Sequence, residues 1–140
     1  MAMCKLQTIP NAKEQIIHNI RNSKQTPEKF IPNSDEINID DWELECDDNG
    51  KIIGQGNLYS NKGDWYSCTL QKIFVDVNSR ERGLGDSIVK GLIKKAKLKS
   101  IKGMPDCQIL TADINRSNKR SRNLFEKNGF RISDSFCVPG

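Results

Sequence analysis

The chain has 140 residues and a mass of 15.9 kDa, which is the size of one domain. Its composition of 36% hydrophobic and 29% charged residues predicts a globular core with a solvated surface and excludes a disordered chain. No apolar run is long enough to span a bilayer, and five scattered cysteines with one histidine exclude the usual zinc motifs. We therefore expect a single domain over residues 1–140, located in the cytoplasm, with free thiols and without a metal.

The predicted elements alternate between strands and helices. A first strand over Cys4–Ile9 precedes a helix over Ala12–Ser23, for which Asn11 is the predicted cap. Residues 24–40 are rich in Pro, Asn and Asp, and they predict a loop or a short helical turn. The later elements are strands over 42–46, 51–58, 65–77, 108–114 and 130–138, a hairpin turn over 48–50, a helix over 85–98, and a helix from 117 or 118 to 128.

This order predicts a mixed sheet with helices on both faces. Gly54 and Gly56 lie inside the predicted return strand of the hairpin. Glycine within a strand indicates either a bulge or the close approach of another backbone.

Charge is distributed unevenly along the chain. Residues 24–50 hold nine acids against two bases, whereas residues 78–131 hold fourteen bases against five acids. Such a separation favours a cationic partner for the first segment and a polyanion for the second, and ordinary surface scatter is the alternative.

The segment from Ile73 to Gly85 predicts an anion site. A buried strand ends, the backbone turns through Gly83 and Gly85, and a helix begins at once. Glycines let the backbone approach a ligand, and the first N–H groups of a helix have no partner within it. Arg80 and Arg82 add positive charge. The dinucleotide and P-loop patterns are absent, and on its own this short pattern equally fits a structural strand-to-helix turn.

The pattern Arg80-x-x-Gly83-x-Gly85, after the strand Ile73-Phe74-Val75, resembles the acetyl-CoA-binding motif of the GNAT superfamily of N-acetyltransferases. The segment from Asn118 to Phe130 resembles that family's second motif, an Asn-led helix ending in LYExxGF. In element order the resemblance covers residues 42–132. It implies a single-domain GNAT-like α/β (α+β) fold, with a mixed, mostly antiparallel sheet flanked by helices.

The same resemblance implies acetyl-CoA as a co-substrate, held between two splayed strands. Strand backbone groups would hold the pantetheine and aim an N–H at the acetyl carbonyl, loop amides would hold the pyrophosphate, and Asn118 would bond the pantetheine. The implied cofactor-binding residues are Ile73, Phe74, Val75, Arg80, Arg82, Gly83, Leu84, Gly85, Asn118, Lys119 and Arg122. For Lys119 and Arg122, contact with the adenosine phosphates and a solvated helix surface stay equally open.

Catalysis needs a base for the attacking amine and a proton for the departing thiolate. Asp113 is the candidate base, because some relatives of the family place a glutamate five residues before the asparagine. A structural role for Asp113 is the alternative, and Asp76 and the acids of residues 35–48 are other candidates for the base. The family's usual tyrosine, seven residues after Asn118, is Phe125 here, which cannot donate a proton. Tyr66 is therefore the candidate acid, with Ser121 as a second choice.

The leading hypothesis is an N-acetyltransferase that moves acetyl from acetyl-CoA to a primary amine by direct attack in a ternary complex. A weak or inactive CoA-binding relative is the second hypothesis, because of Phe125. A basic nucleic-acid-binding module ranks below both, since no aromatic residues interleave with the lysines of residues 90–102.

Partners follow from the same resemblance. The acidic stretch Asp35–Asp48 falls where the family builds its amine-binding side, which favours a cationic small molecule or a peptide or protein terminus as acceptor. No membrane partner is expected. The chain stops ten residues after Phe130, so the last strand is either missing or supplied by a second subunit, and the latter implies a homodimer.

Overall fold

A computed structural model describes residues 9–60, 67–80, 82–101, 109–112, 114 and 117–131. Three helices are present in this part of the chain: α1 (Ala12–Ser23), α2 (Leu84–Ile101) and α3 (Lys119–Lys127). The strands are β1 (Trp42–Cys46), β2 (Ile52–Ser60), β3 (Ser67–Val75) and β4 (Ile109–Ala112). Short 3-10 turns cover Glu28–Phe30, Ser34–Glu36, Ile39–Asp41 and Val77–Ser79.

The described strands form one sheet in the order β1-β2-β3-β4. β1 and β2 run antiparallel, as do β2 and β3, whereas β3 and β4 run parallel. The α/β fold with a mixed, mostly antiparallel sheet is therefore confirmed.

Helices cover both faces of the sheet and bury two separate apolar clusters. On one face, Asn19 of α1 donates a hydrogen bond to the Gln55 side chain of β2 at 3.0 Å, and Gln55 in turn donates to the Ile16 carbonyl at 3.1 Å. These bonds fix α1 on the sheet, because buried amides are costly to leave unpaired. The α1 cluster contains Ile9, Ile16, Ile20, Ile37, Trp42, Leu44, Cys46 and Ile52. The cluster under α2 and α3 contains Leu58, Cys68, Leu70, Ile88, Val89, Leu92, Ala96 and Phe125.

The two glycines of β2 let α2 approach the sheet closely. A Cβ on Gly54 would lie 2.8 Å from Ile88 Cδ1, and one on Gly56 would lie 2.7 Å from Ile88 Cγ2 and 2.9 Å from Leu92 Cδ1. These distances are shorter than carbon–carbon contact, so no side chain fits there without displacing α2. The predicted close approach is confirmed.

A bulge also lies at this place. The register of β2 against β3 shifts between Gln55 and Asn57, so that Gly56 faces two residues of β3, Lys72 and Ile73. The extra residue bends the strand and increases its local twist.

Several sequence-based expectations need correction. Asn11 precedes α1 but makes no side-chain capping bond, because its left-handed backbone (φ 52°) differs from the extended conformation that directs a capping oxygen at the helix. α2 extends to Ile101 rather than ending at Leu98, since no breaker intervenes before Gly103.

The expectation of free thiols is wrong at two positions, because Cys46 and Cys68 are each disulfide-bonded. The predicted strands over 4–9 and 130–138 lie almost entirely outside the described residues. The homodimer was inferred from the second of these strands, so it stays a prediction. None of the described helices has the length and apolar character needed to cross a membrane.

Candidate functional site

The sheet opens along the second half of β3. β4 pairs with β3 only from Ser67 to Leu70, whereas β2 pairs with β3 as far as Val75. Within the described part of the chain, the other edge of Gln71–Val75 therefore has no partner strand. An unpaired strand edge presents N–H and C=O groups that an extended ligand can bind. Ile73, Phe74 and Val75, the predicted pantetheine-binding residues, all lie in this open stretch and are half-buried.

The open stretch contains an unusual backbone conformation. Lys72 has φ 52°, in the left-handed region, at the bulged position of β3. A non-glycine residue there costs about 1–2 kcal/mol, and such strain is common next to functional sites. Sequence reasoning missed Lys72, because neither its residue type nor its neighbours indicate a bulge; only the glycine opposite, Gly56, hinted at one.

The predicted phosphate loop leaves the end of β3 and leads directly into α2. The amide of Asp76 donates to the Ile53 carbonyl at 2.7 Å, which fixes the end of the strand. Gly83 has φ 74°, and within the described residues no atom outside its chain neighbours lies within 4 Å of where its Cβ would stand. The first intrahelical bond of α2 runs from the Ser87 amide to the Gly83 carbonyl at 3.0 Å, so within the described residues the preceding amides at the helix start are left for an anion.

Gly85 has a packing role beside the loop. A Cβ there would lie 3.2 Å from Leu124 Cδ2 of α3 and 3.9 Å from Val75 Cγ2 of β3. The end of β3, the start of α2 and the middle of α3 therefore meet at this one residue.

Asp86 anchors α3 to the first turn of α2. Its carboxylate accepts a hydrogen bond from Asn128 Nδ2 at 2.9 Å, forms a close ion pair with Lys90, and lies 3.8 Å from Lys127 Nζ. The hydrogen bonds from Lys90 and Asn128, with the positive charges of Lys127 and Lys90, lower the pKa of Asp86. The only acid in the first turn of α2 is thus engaged by α3 and by Lys90.

The two arginines of the loop are exposed, as an anion site requires. Arg82 lines a surface cavity of about 420 Å³ together with Asp47, Asp48 and Ile53. Asp47 also caps the β1–β2 turn, since its carboxylate accepts from the amides of residues 49 and 51 at 2.9 and 3.0 Å. These two acids therefore lie beside Arg82 of the predicted phosphate loop.

The second predicted motif forms α3. Asn118 is its N-cap, with Oδ1 accepting from the Ser121 amide at 3.1 Å, so that a role with pantetheine is left to its Nδ2 group. Lys119 is exposed and Arg122 is half-buried. Phe125 is 5% exposed and packs edge-on against Phe130 at 5.1 Å between ring centroids, so its side chain belongs to the core.

On the α1 side of the sheet, polar side chains follow one another beside the open stretch. Gln71 donates to Asn57 Oδ1 at 3.0 Å, and Asn57 donates to the Asp41 carbonyl at 3.2 Å. The hydroxyls of Thr69 and Thr111 lie 2.9 Å apart across β3 and β4. We call these four side chains (Asn57, Thr69, Gln71 and Thr111) the polar row. The alternation of polar with apolar residues in β3 is the sequence signal from which this row could have been predicted.

The candidate base Asp113 and the candidate acid Tyr66 both lie outside the described residues, so both assignments stay predictions. Among the residues that the structure describes, no three His, Cys, Asp or Glu side chains come together to hold a metal ion.

Comparison with known families agrees with this geometry. The sequence profile of the acetyltransferase (GNAT) domain matches residues 42–132, which span β1 to the end of α3. The chain belongs to the GNAT acetyltransferase family. A search of curated protein sequences finds no significant match.

Solved structures share the GNAT fold at low sequence identity. The structure of AAC(6')-Iy in complex with the bisubstrate analog CoA-S-monomethyl-acetylneamine is 18% identical, with a TM-score of 0.71, over 94% of this chain and 92% of that one. Diaminobutyrate acetyltransferase EctA from Paenibacillus lautus, in complex with its substrate L-2,4-diaminobutyric acid and coenzyme A, is 15% identical, with a TM-score of 0.63, over 83% of this chain and 68% of that one.

A structure described as a transcriptional regulator from Bacillus halodurans C-125 is 16% identical, with a TM-score of 0.63, over 99% of this chain and 97% of that one. These likenesses show the fold alone, and function must be argued from the site.

Proposed function

We propose that this GNAT protein transfers an acetyl group from acetyl-CoA to a primary amine. The observation that carries the proposal is the open edge of Gln71–Val75, which ends beside the exposed N-terminus of α2. An extended pantetheine chain suits the strand edge, and a pyrophosphate suits the helix start with Arg80 and Arg82. The names of two structural neighbours, which include CoA or a CoA-linked ligand, support the same coenzyme.

In the proposed reaction, a neutral amine attacks the thioester carbonyl directly. A backbone N–H of the open stretch stabilises the developing oxyanion, because its direction is fixed by the strand before the reaction begins. Asp113 or solvent takes the proton that the amine loses, and Asp113 remains the candidate base on the strength of the family resemblance alone.

The acceptor in this proposal is a cationic small molecule or a peptide or protein terminus. It would lie against the polar row, on the opposite side of β3 from α2. Asp41 lies beside this row, because its backbone carbonyl accepts from Asn57, and the charges of Asp40 and Asp41 before β1 favour a cationic acceptor. The acids at Asp47 and Asp48 lend no support here, because they lie beside Arg82.

A second candidate function is coenzyme binding without turnover. The specific observation in its favour is the burial of Phe125, at the position where the family usually places a proton-donating tyrosine. Measurement of turnover separates this candidate from the enzyme.

The test has two steps, each with its own readout. Titration calorimetry with CoA and acetyl-CoA should give saturable binding, and absence of binding at micromolar protein would end both candidates. Release of free CoA thiol should then depend on an added amine, across a panel of cationic and neutral acceptors. Coenzyme binding with no amine-dependent thiol release would leave the non-catalytic function, and preference for neutral amines would overturn the acceptor class.

The cytoplasmic location is part of the proposal, since the reaction draws on the intracellular acetyl-CoA pool. The disulfides at Cys46 and Cys68 argue in the other direction, because disulfides are rare in reducing compartments. Alkylation of thiols in intact cells, followed by mass spectrometry of the peptides that contain these two cysteines, decides between the compartments. Free thiols at both positions would support the cytoplasm.

A further inference from the structure

Lys72 combines two features that the proposed mechanism has not yet used. Its backbone lies in the left-handed region at the bulge of β3, inside the stretch that β4 leaves open. Bulges next to active sites commonly redirect a side chain, and the strain at such a position persists only where the surrounding fold imposes it. The position thus lies along the strand edge to which we assign the pantetheine.

The side chain of Lys72 is half-buried, and among the described residues it has no hydrogen-bond or ion-pair partner. Burial lowers the pKa of its ammonium group. The residues of β2 opposite the bulge, Gln55, Gly56 and Asn57, are uncharged, and burial is the cause of the shift. The described acid beside them is Asp41, whose backbone carbonyl accepts from Asn57. A cationic group to which no described residue offers a partner suits an anion that forms only during a reaction.

Such an anion forms when the thioester breaks. A departing thiolate needs a proton, and Phe125 cannot supply one. A lysine ammonium of ordinary pKa, about 10.4, is a weaker acid than a thiol, whose pKa is near 8.5. Proton transfer from such a lysine to the thiolate is therefore opposed by a gap of about two pKa units. Burial of Lys72 narrows this gap, because it lowers the pKa of the donor.

We propose that Lys72, in place of the candidate Tyr66, is the general acid of this acetyltransferase, an inference that rests on the proposed function. The acceptor nitrogen forms a bond to the carbonyl carbon, and the carbon–sulfur bond breaks with its electron pair moving to sulfur. The Lys72 ammonium donates its proton to that sulfur, giving free CoA thiol. The proton lost by the acceptor amine goes to the base or to solvent, and solvent returns a proton to Lys72.

Two substitutions test this role. Lys72→Met removes the proton and the charge, whereas Lys72→Arg keeps the charge but holds its proton too tightly to donate it. We expect both to lower kcat by about 100-fold, which is the lower end of the effect of a general acid. Calorimetry should give a Kd for CoA that changes by less than about threefold, since a proton to sulfur contributes only during the reaction.

The pH profile separates a proton donor from a structural residue. Wild-type kcat should fall at alkaline pH as Lys72 loses its proton, and this alkaline limb should be absent in both variants. Lys24→Met is the matched control, because Lys24 also has a left-handed backbone (φ 57°) but is exposed at the end of α1. It should keep the kcat and the alkaline limb of the wild type.

Four results would overturn the assignment. They are a wild-type kcat without an alkaline limb, a limb that persists in Lys72→Met, full kcat in Lys72→Arg, and a change confined to the acceptor KM, which would place Lys72 in acceptor binding. The first of these needs no variant and holds even where a substitution prevents folding. A wild-type protein that binds no CoA or releases no thiol removes the proposed function itself, and the assignment with it.

Discussion

Introducing a carboxylate into the proposed phosphate loop should weaken coenzyme binding by about 30-fold or more and leave the fold intact. Gly83→Asp places the charge where the described residues leave open space, next to the first amides of α2, which have no partner among those residues. Gly129→Asp is a matched control at the end of α3, because Gly129 also has a positive φ (91° against 74°) and also has open space around its Cβ position within the described residues.

The expected magnitudes separate strain from charge. A left-handed non-glycine residue costs about 1–2 kcal/mol, so both variants should melt about 3–7 °C below the wild type. A carboxylate about 5 Å from a diphosphate carrying two charges is repelled by about 2 kcal/mol even at the dielectric constant of water, and by more where solvent is excluded. Gly83→Asp should therefore raise the Kd for CoA by about 30-fold or more, and Gly129→Asp should leave it unchanged.

Calorimetric titration with CoA at low and high salt provides the assay. The repulsion is partly screened by salt, so the affinity ratio between the two variants should shrink as salt is raised. Gly83→Ala adds the strain without the charge, and its Kd should lie between those of the wild type and Gly83→Asp. Equal CoA affinities for the Asp variants at positions 83 and 129 would refute the assignment of the pyrophosphate to this loop.

Three further changes probe the framework around the site. Gly56→Ala should lower the free energy of unfolding by about 2 kcal/mol, because its Cβ would lie 2.7 Å from Ile88 Cγ2, and denaturant unfolding measures this. Asn118→Ala should lower the free energy of unfolding by about 1 kcal/mol, because α3 loses its cap. Its melting temperature should therefore fall by less than that of Gly56→Ala. Asp86→Asn should make the free energy of unfolding depend less on pH at acidic pH. The pKa of Asp86 is lowered in the folded state. Its contribution to stability is therefore present above the unfolded pKa near 3.9 and is lost as the pH falls through the folded pKa.

Each framework prediction has a result that contradicts it. An Ala at position 56 that unfolds like the wild type would mean that α2 moves away from the sheet at little cost. An unchanged melting temperature for Asn118→Ala would show that the Asn118 cap does not stabilise the fold. A stability profile of Asp86→Asn that keeps the wild-type acid limb, with Asp35→Asn as an exposed control, would show that other carboxylates determine it.

Regular elements were predictable because their signals are local. The α1 boundaries follow from Pro10 before the helix and Pro27 after it, and the buried alternation of β1 follows from its period of two. The strand-to-helix turn that we propose as the phosphate loop was predictable for the same reason, since a strand, two glycines and a helix start are contiguous in the chain.

Other parts of the site depend on contacts between residues distant in sequence. The open edge of β3 depends on where β4 stops pairing, and the sequence of neither strand encodes that end point. The polar row joins Asn57 to Gln71 and Thr69 to Thr111 across three strands. Asn11 shows the opposite failure, because a residue of the right type for a helix cap adopts a backbone conformation that prevents capping.

The two glycines of β2 connect the open strand edge to the proposed anion site. Ile88 and Leu92 contact the backbone where Gly54 and Gly56 lack side chains, which fixes the height of α2 above the sheet and hence the place of its first turn. Gly56 is also the residue that faces the bulge, so the position that admits α2 is the one opposite which β3 takes its extra residue at Lys72. The height of α2 and the bulge of β3 both depend on this residue. A side chain at position 56 should therefore disturb both the coenzyme affinity and the conformation of Lys72. An equally destabilising change elsewhere in the core should disturb neither.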